Sequence, residues 1–319
     1  MKILVTGGAG FIGSNLVERL LREGHEVSVF DDFNDFYNPD IKRANLSAMR
    51  DKIRVVEADL RDADAVNRAF AEIQPDTVVH LAARVGVRPS IEAPELYINC
   101  NVNGTFHVLD AAKNHGVERF IFASSSSVYG VNEKVPFAES DLISRTISPY
   151  AATKLAGEQL CSNYSYLYGI KMVCLRFFTV YGPRQRPDLA ISKFTRLIDE
   201  GKPIDRYGDG LTSRDYTYVD DIIQGIMGAI RYDEKEFEIF NLGGTETVTL
   251  NELIEAVEAA IGKKAKINAM PMQPGDVPRT NADITKAREM LGYEPATALR
   301  DGVAKYVEWY RKMQEATGV

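Results

Sequence analysis

Lys2-Ile3-Leu4-Val5-Thr6-Gly7-Gly8-Ala9-Gly10-Phe11-Ile12-Gly13 carries the chain from an apolar run through a glycine-rich turn into an amphipathic stretch. The β-branched run reads as a buried strand, and Ile12–Arg22 reads as a helix. Gly7, Gly10 and Gly13 suit three needs. The turn requires positive φ, a backbone must approach a pyrophosphate closely, and the helix must pack tightly on the sheet. The helix start then offers its free N–H groups to phosphate oxygens. Glycine spacing alone is a weak signal; the strand before it and the helix after it give it weight. Asp31 ends the next apolar run, Glu26–Phe30, with Asp32 beside it. A carboxylate there accepts hydrogen bonds from a ribose hydroxyl and repels a 2′-phosphate, which favours NAD over NADP. Asp59-Leu60 follows a third run and is placed to reach an adenine.

Outward from this unit the pattern repeats. Ile53–Glu57, Thr77–Leu81 and Phe120–Ser124 read as further strands, separated by amphipathic segments such as Ala63–Glu72. Strands alternating with helices predict an α/β fold with a Rossmann-type, doubly wound parallel sheet. Ser148–Tyr168 reads as a long helix and Met172–Phe177 as a sixth strand. Beyond Gly182, prolines break the chain into shorter elements. Phe237–Leu242 reads as a strand returning to the sheet, Thr249 with Glu252 as a capping box for the helix Asn251–Ile261, and Ser192–Glu200 and Ala298–Met313 as helices. The expected division is an NAD-binding domain over 1–178, rejoined by 236–262, and a smaller mixed α/β substrate domain over 179–235 and 263–319.

Composition narrows the function classes. The chain has 319 residues, 45% hydrophobic and 26% charged, enough to bury a core without staples. A net charge of −7 with no basic run argues against nucleic-acid binding. Cys100, Cys161 and Cys174 are widely spaced, and His25, His80, His107 and His115 lack ligand spacing, so neither a disulfide framework nor a metal site is expected. No apolar run reaches the roughly 20 residues of a membrane span. With no leader visible, the expected location is the cytoplasm.

Tyr150 and Lys154 stand four apart in Ser148-Pro149-Tyr150-Ala151-Ala152-Thr153-Lys154, on one face of the predicted helix. A phenol of pKa ~10 is a poor base, but a nearby ammonium and a positive nicotinamide ring favour the phenolate. It can then take a hydroxyl proton while a hydride leaves the same carbon. Ser124-Ser125-Ser126-Ser127-Val128-Tyr129-Gly130 follows the fifth strand, whose carboxyl end faces the ligand crevice of such sheets.

The glycine loop, strand-end acid, serines before Val128-Tyr129-Gly130 and Tyr150/Lys154 pair, in this order, resemble the extended short-chain dehydrogenase/reductase superfamily. Within it the chain is most similar to nucleotide-sugar 4-epimerases. The resemblance puts the catalytic hydroxyl on Ser125, the base on Tyr150 and a nicotinamide-ribose contact on Lys154. The expected cofactor set takes in Leu81, Ala82 and Ala83 as well. Related dehydratases and decarboxylases carry acids where this chain has Ser126-Ser127, which implies simple epimerisation. Leu175–Arg184, with Thr179 in place of the asparagine usual in UDP-glucose enzymes, and Arg186–Ala190 resemble the UDP-glucuronate 4-epimerases. A C5 carboxylate would find Thr179, Ser126 and Ser127 as donors, while Arg186 joins the substrate set. Arg214 and Arg279 match pyrophosphate positions, and Asp276 fits a uridine-ribose acceptor. Family likeness also implies a homodimer built on helices near Glu95–His115 and Ala151–Tyr168. Two alternatives stay open: a UDP-glucose or UDP-N-acetylglucosamine 4-epimerase, and a non-catalytic NAD-binding regulator.

Overall fold

The computed structural model describes residues 1–272 and 279–317. In chain order the strands are β1 (Lys2–Thr6), β2 (Glu26–Asp31), β3 (Arg54–Glu57), β4 (Thr77–His80), β5 (Arg119–Ser125), β6 (Lys171–Phe177), β7 (Thr179–Tyr181), β8 (Pro203–Tyr207), β9 (Ser213–Tyr218), β10 (Phe237–Leu242), β11 (Thr247–Thr249) and β12 (Lys266–Met270). Seven of them form one sheet in the order β10-β6-β5-β4-β1-β2-β3. Every pairing in it is parallel. The winding reverses between β1 and β4, so the carboxyl ends of β1, β2 and β4 part around a crevice.

Alternation along the strands sends side chains to two cores. Leu4 and Phe30 pack with Val66, Phe70 and Val108 on one face. Val5 and Val29 pack with Leu16, Val17 and Leu20 of the Phe11–Arg22 helix on the other. Between β1 and β4, the buried His80 ring contacts Thr6 Oγ1 at 2.7 Å and Thr105 Oγ1 at 3.0 Å. Burial pushes its pKa down to about 3, so it is a neutral hydrogen-bonded strut.

Most expected elements form within a residue or two. The long helix runs Pro149–Tyr168, with Ser148 accepting from the Ala151 N–H at 3.1 Å and Gly169 closing it at φ 69°. The Thr249–Glu252 capping box is present. Others differ. Glu95–His115 is not one α-helix; a π-helical turn at Ile98–Asn103 interrupts it. β10 does rejoin the sheet beside β6. The helix that follows, Leu250–Ile261, packs on the helices Ala190–Asp199 and Leu299–Thr317. Conversely, Val219–Arg231 packs on the Phe11–Arg22 helix and against β5 and β6. Its buried Ile222, Ile223, Ile226 and Met227 join the same core as Leu16, Val17 and Leu20. β7, β9 and β11 form a small sheet beside the crevice, and β8 with β12 a second one.

Candidate active site

One cleft of 380 Å³ runs along the carboxyl ends of the sheet. Its floor is the glycine loop. Gly7 adopts φ +70°, and a Cβ there would lie 2.8 Å from the Ala82 nitrogen. A Cβ on Gly13 would meet the Gly7 oxygen at 2.2 Å, so the helix can sit this close only with glycine. Gly10 caps the helix with no side-chain hydrogen bond, and Gly10, Phe11 and Ile12 all line the cleft. A ledge cleared of Cβ atoms beneath a 12-residue helix start fits a dinucleotide pyrophosphate.

Asp31 is buried at the end of β2 and accepts from the N–H groups of Ala9 (3.1 Å) and Phe33 (2.9 Å). The carboxylate therefore holds the glycine loop as well as facing the cleft. Burial raises its pKa, opposed by the Lys42 ammonium 3.5 Å away and by those N–H groups. Asp32 lies 3.7 Å from both Lys42 and Arg84. Asp59 forms an ion pair with Arg61 at 2.6 Å, which lowers its pKa, and still lines the cleft beside Leu60. Leu81, Ala82 and Ala83 form the facing lip beyond β4.

The other wall is β5 with the Pro149–Tyr168 helix. Ser125, Tyr150 and Lys154 all face the cleft. Lys154 is buried and donates to the Ala123 carbonyl at 2.7 Å; burial pulls its pKa down to about 8. Tyr150 differs from expectation. Its phenol is raised by burial, and the groups that offset this are the Ser125 hydroxyl and Arg186. Lys154 is engaged with the strand backbone, and the phenol stays raised on balance, with Ser125 and the Arg186 guanidinium only partly offsetting its burial.

Thr179 and Arg186 line the cleft as well. Arg186 makes a bidentate pair with Asp188 at 2.8 and 3.0 Å and lies over the Phe36 ring at 5.4 Å. Ser126 and Ser127 sit in the 3₁₀ turn after β5, behind the lining; Ser125 Oγ lies 3.2 Å from Ser127 Oγ. Arg214 on β9 also stands outside the lining and donates to the Ser213 carbonyl. Arg279 bridges to Ser213, which sets its backbone beside that of Arg214. Asp276 lies outside the described residues.

Lys42 and Arg84 line the cleft without having been marked by motif, beside Phe36 and Tyr37 of the segment Asp31–Tyr37 that resembles the glucuronate enzymes. Lys42 belongs to a short helix, Pro39–Leu46, whose start is readable in Asn38-Pro39: the Asn38 side chain accepts from the Asp40 N–H at 2.9 Å. Nothing local announces that this helix turns Lys42 back onto Asp31.

A glycine cradle facing a serine–tyrosine–lysine wall across the switch point of a parallel sheet defines an extended short-chain dehydrogenase/reductase. The chain belongs to the family described as GDP-mannose 4,6 dehydratase, which matches residues 4–306. It is 39% identical over 330 residues to a probable UDP-glucuronate 4-epimerase of Rhizobium meliloti, covering 97% of each chain. Among solved structures, a Bacillus cereus UDP-glucuronic acid 4-epimerase in complex with UDP-glucuronic acid and NAD superposes with a TM-score of 0.91 at 37% identity, over 98% of this chain and 100% of that one. A Thermotoga maritima UDP-glucose 4-epimerase with UDP-glucose matches at a TM-score of 0.91 and 34% identity, over 98% and 99% of the two chains.

Proposed function

We propose that this protein is an NAD-dependent UDP-sugar 4-epimerase that interconverts UDP-glucuronate and UDP-galacturonate. The observation that supports the reading is that Ser125, Tyr150, Lys154, Thr179 and Arg186 all line one cleft. Bound NAD supplies the reversible oxidation of the sugar carbon. The chain supplies the rest. The glycine loop and helix start hold the pyrophosphate, and Asp31 holds the adenosine ribose. Lys154 holds the nicotinamide ribose.

Tyr150 takes the proton from the 4-hydroxyl and returns it to the oxygen on either face of the ring. Ser125 holds that oxygen within reach during both transfers. Arg186 adds positive potential next to the phenol. No carboxylate stands at Ser126-Ser127 to drive elimination at C5 and C6. The substrate's own C5 carboxylate is held by hydroxyls, with Thr179 foremost. A 4-keto hexuronate is a β-keto acid and loses CO₂ when its C5–C6 bond overlaps the ketone. Hydrogen bonds that hold the carboxylate out of that alignment protect it. Arg214, Arg279 and Asp276 serve the UDP end, the arginines through bidentate bonds to diphosphate. The sheet half of the chain thus serves the cofactor and its later segments the sugar nucleotide. We further propose a cytoplasmic homodimer.

The test is incubation of the purified protein with UDP-glucuronate, UDP-glucose and UDP-N-acetylglucosamine, without added NAD. UDP-galacturonate as the main product supports the reading. Turnover of only the neutral sugars transfers the assignment to the alternative that the Thermotoga neighbour favours. Sedimentation of the same sample reports the dimer.

A further inference from the structure

We propose that Glu158 is the positioning residue of the active site: clamped to Ser124 and Arg176, it sets the register of the Pro149–Tyr168 helix against β5 and so the approach of Tyr150 to Ser125. The proposal rests on the epimerase reading above. Glu158 stands on the helix at i+4 from Lys154 and i+8 from Tyr150, on the face that meets the sheet. Ser124 and Arg176 are directly opposed partners on β5 and β6. The Glu158 carboxylate bridges them. It accepts from the Arg176 guanidinium at 2.9 and 2.8 Å and from the Ser124 hydroxyl.

All three side chains are buried, with Glu158 1% exposed, so no solvent competes for these bonds. Three consecutive residues of β5 are then engaged by three positions of the helix spaced one turn apart. Ala123 receives Lys154, Ser124 holds Glu158, and Ser125 meets Tyr150. The helix also comes unusually near the strand: a Cβ on Gly157 would lie 2.2 Å from the Phe122 ring. Apolar packing alone allows such a helix to slide, because it has no directional preference. A bidentate charged pair does not.

The clamp also continues into the serine turn. The Arg176 guanidinium lies 4.9 Å over the ring of Tyr129, which ends the 3₁₀ turn that starts at Ser126. Tyr129 in turn donates to the Asn241 side-chain oxygen at 2.7 Å, on β10. Both sides of the Ser125–Tyr150 contact are therefore tied to one buried ion pair.

The test uses NAD-loaded protein. Removing Glu158 alone would strand a buried Arg176 charge, so the pair is replaced together as Glu158→Leu with Arg176→Met, an exchange that folded proteins often tolerate. Ser124→Ala, which leaves the ion pair intact, is the second variant. The paired variant should lose about 10- to 100-fold in kcat, as expected for an approach displaced by a fraction of an ångström to an ångström. KM for UDP-glucuronate should stay within about twofold. Ser124→Ala should lose kcat in the same direction and by less. A second readout needs no sugar. The phenolate absorbance of Tyr150, taken as the difference from a matching Tyr150→Phe protein, should titrate at higher pH in the paired variant than in the parent. Folded variants with parental kcat and an unmoved Tyr150 titration overturn the proposal, as does a loss carried wholly in KM. If the paired variant does not fold, Ser124→Ala with parental kcat overturns it. A parent that binds NAD but turns over no UDP-sugar sinks the epimerase reading instead, and the Tyr150 titration alone then decides on Glu158.

Discussion

Two sets of candidate site residues are held differently. Ser125, Tyr150 and Lys154 sit on a strand and a 20-residue helix; Lys154 donates to the Ala123 carbonyl and Ser125 to the Ser127 hydroxyl. Thr179, Arg186, Arg214 and Arg279 sit on short strands and connecting segments. Arg186 pairs with the nearby carboxylate of Asp188, and Arg214 donates to the neighbouring Ser213 carbonyl. The first set is tied to the sheet by the buried bond from Lys154 to the Ala123 carbonyl. The second can exchange partners, because Asp188 is exposed to solvent and a substrate anion can compete with it for Arg186. A chemistry shared by a superfamily belongs with the first set, and selection among related sugars with the second.

Substitutions can break or sharpen this contrast. In the first set, Tyr150→Phe should leave NAD bound and lower kcat by about a thousandfold, within the range of general acid–base effects. Near-parental turnover would remove Tyr150 as the base. In the cradle, Gly13→Ala forces a Cβ to within 2.2 Å of the Gly7 carbonyl. NAD affinity should fall by about 100-fold, matching an overpacking cost of ~1–3 kcal/mol. Calorimetry showing unchanged NAD binding would mean that the loop can shift freely.

In the second set, Thr179→Ala should slow epimerisation by roughly ten- to a hundredfold, the value of a hydrogen bond to a charged group. It should also release more UDP-pentose, since the freed carboxylate can rotate into overlap. Product ratios that do not change would take Thr179 out of that role. Asp31→Asn should weaken NAD by about tenfold and narrow the preference over NADP, because Lys42 and Arg84 remain to face a 2′-phosphate. Equal discrimination in parent and variant would assign selectivity elsewhere. Outside the cleft lining, Thr249→Ala removes the capping box of the Leu250–Ile261 helix. It should cost about 1 kcal/mol of stability, seen as a lower Tm, with kcat unmoved.

The parts legible in advance share a property: each is a local rule repeated along the chain. The glycine turn shows because its conformation excludes side chains. The Tyr150/Lys154 face shows because helical spacing alone aligns them, and β10 shows as an apolar run. Less legible was the middle of Glu95–His115. There the π-helical turn brings the Asn101 side chain onto both Arg84 backbone groups and Thr153, partners that no local pattern names.

The amino-acid order by itself determined the winding of the sheet, the shape of the glycine cradle and the shared face of Tyr150 and Lys154, because these depend on backbone conformation and on neighbours within a turn or a strand. Tertiary structure alone decided the electrostatics. Lys42 reaches Asp31 from a separate helix, the Arg186 guanidinium acts on the Tyr150 phenol from 36 residues further along the chain, and Lys154 spends its bond on Ala123. Charge interactions act through space and grow with burial. Partners far apart in the chain can therefore set the behaviour of a residue whose role its own neighbours already reveal.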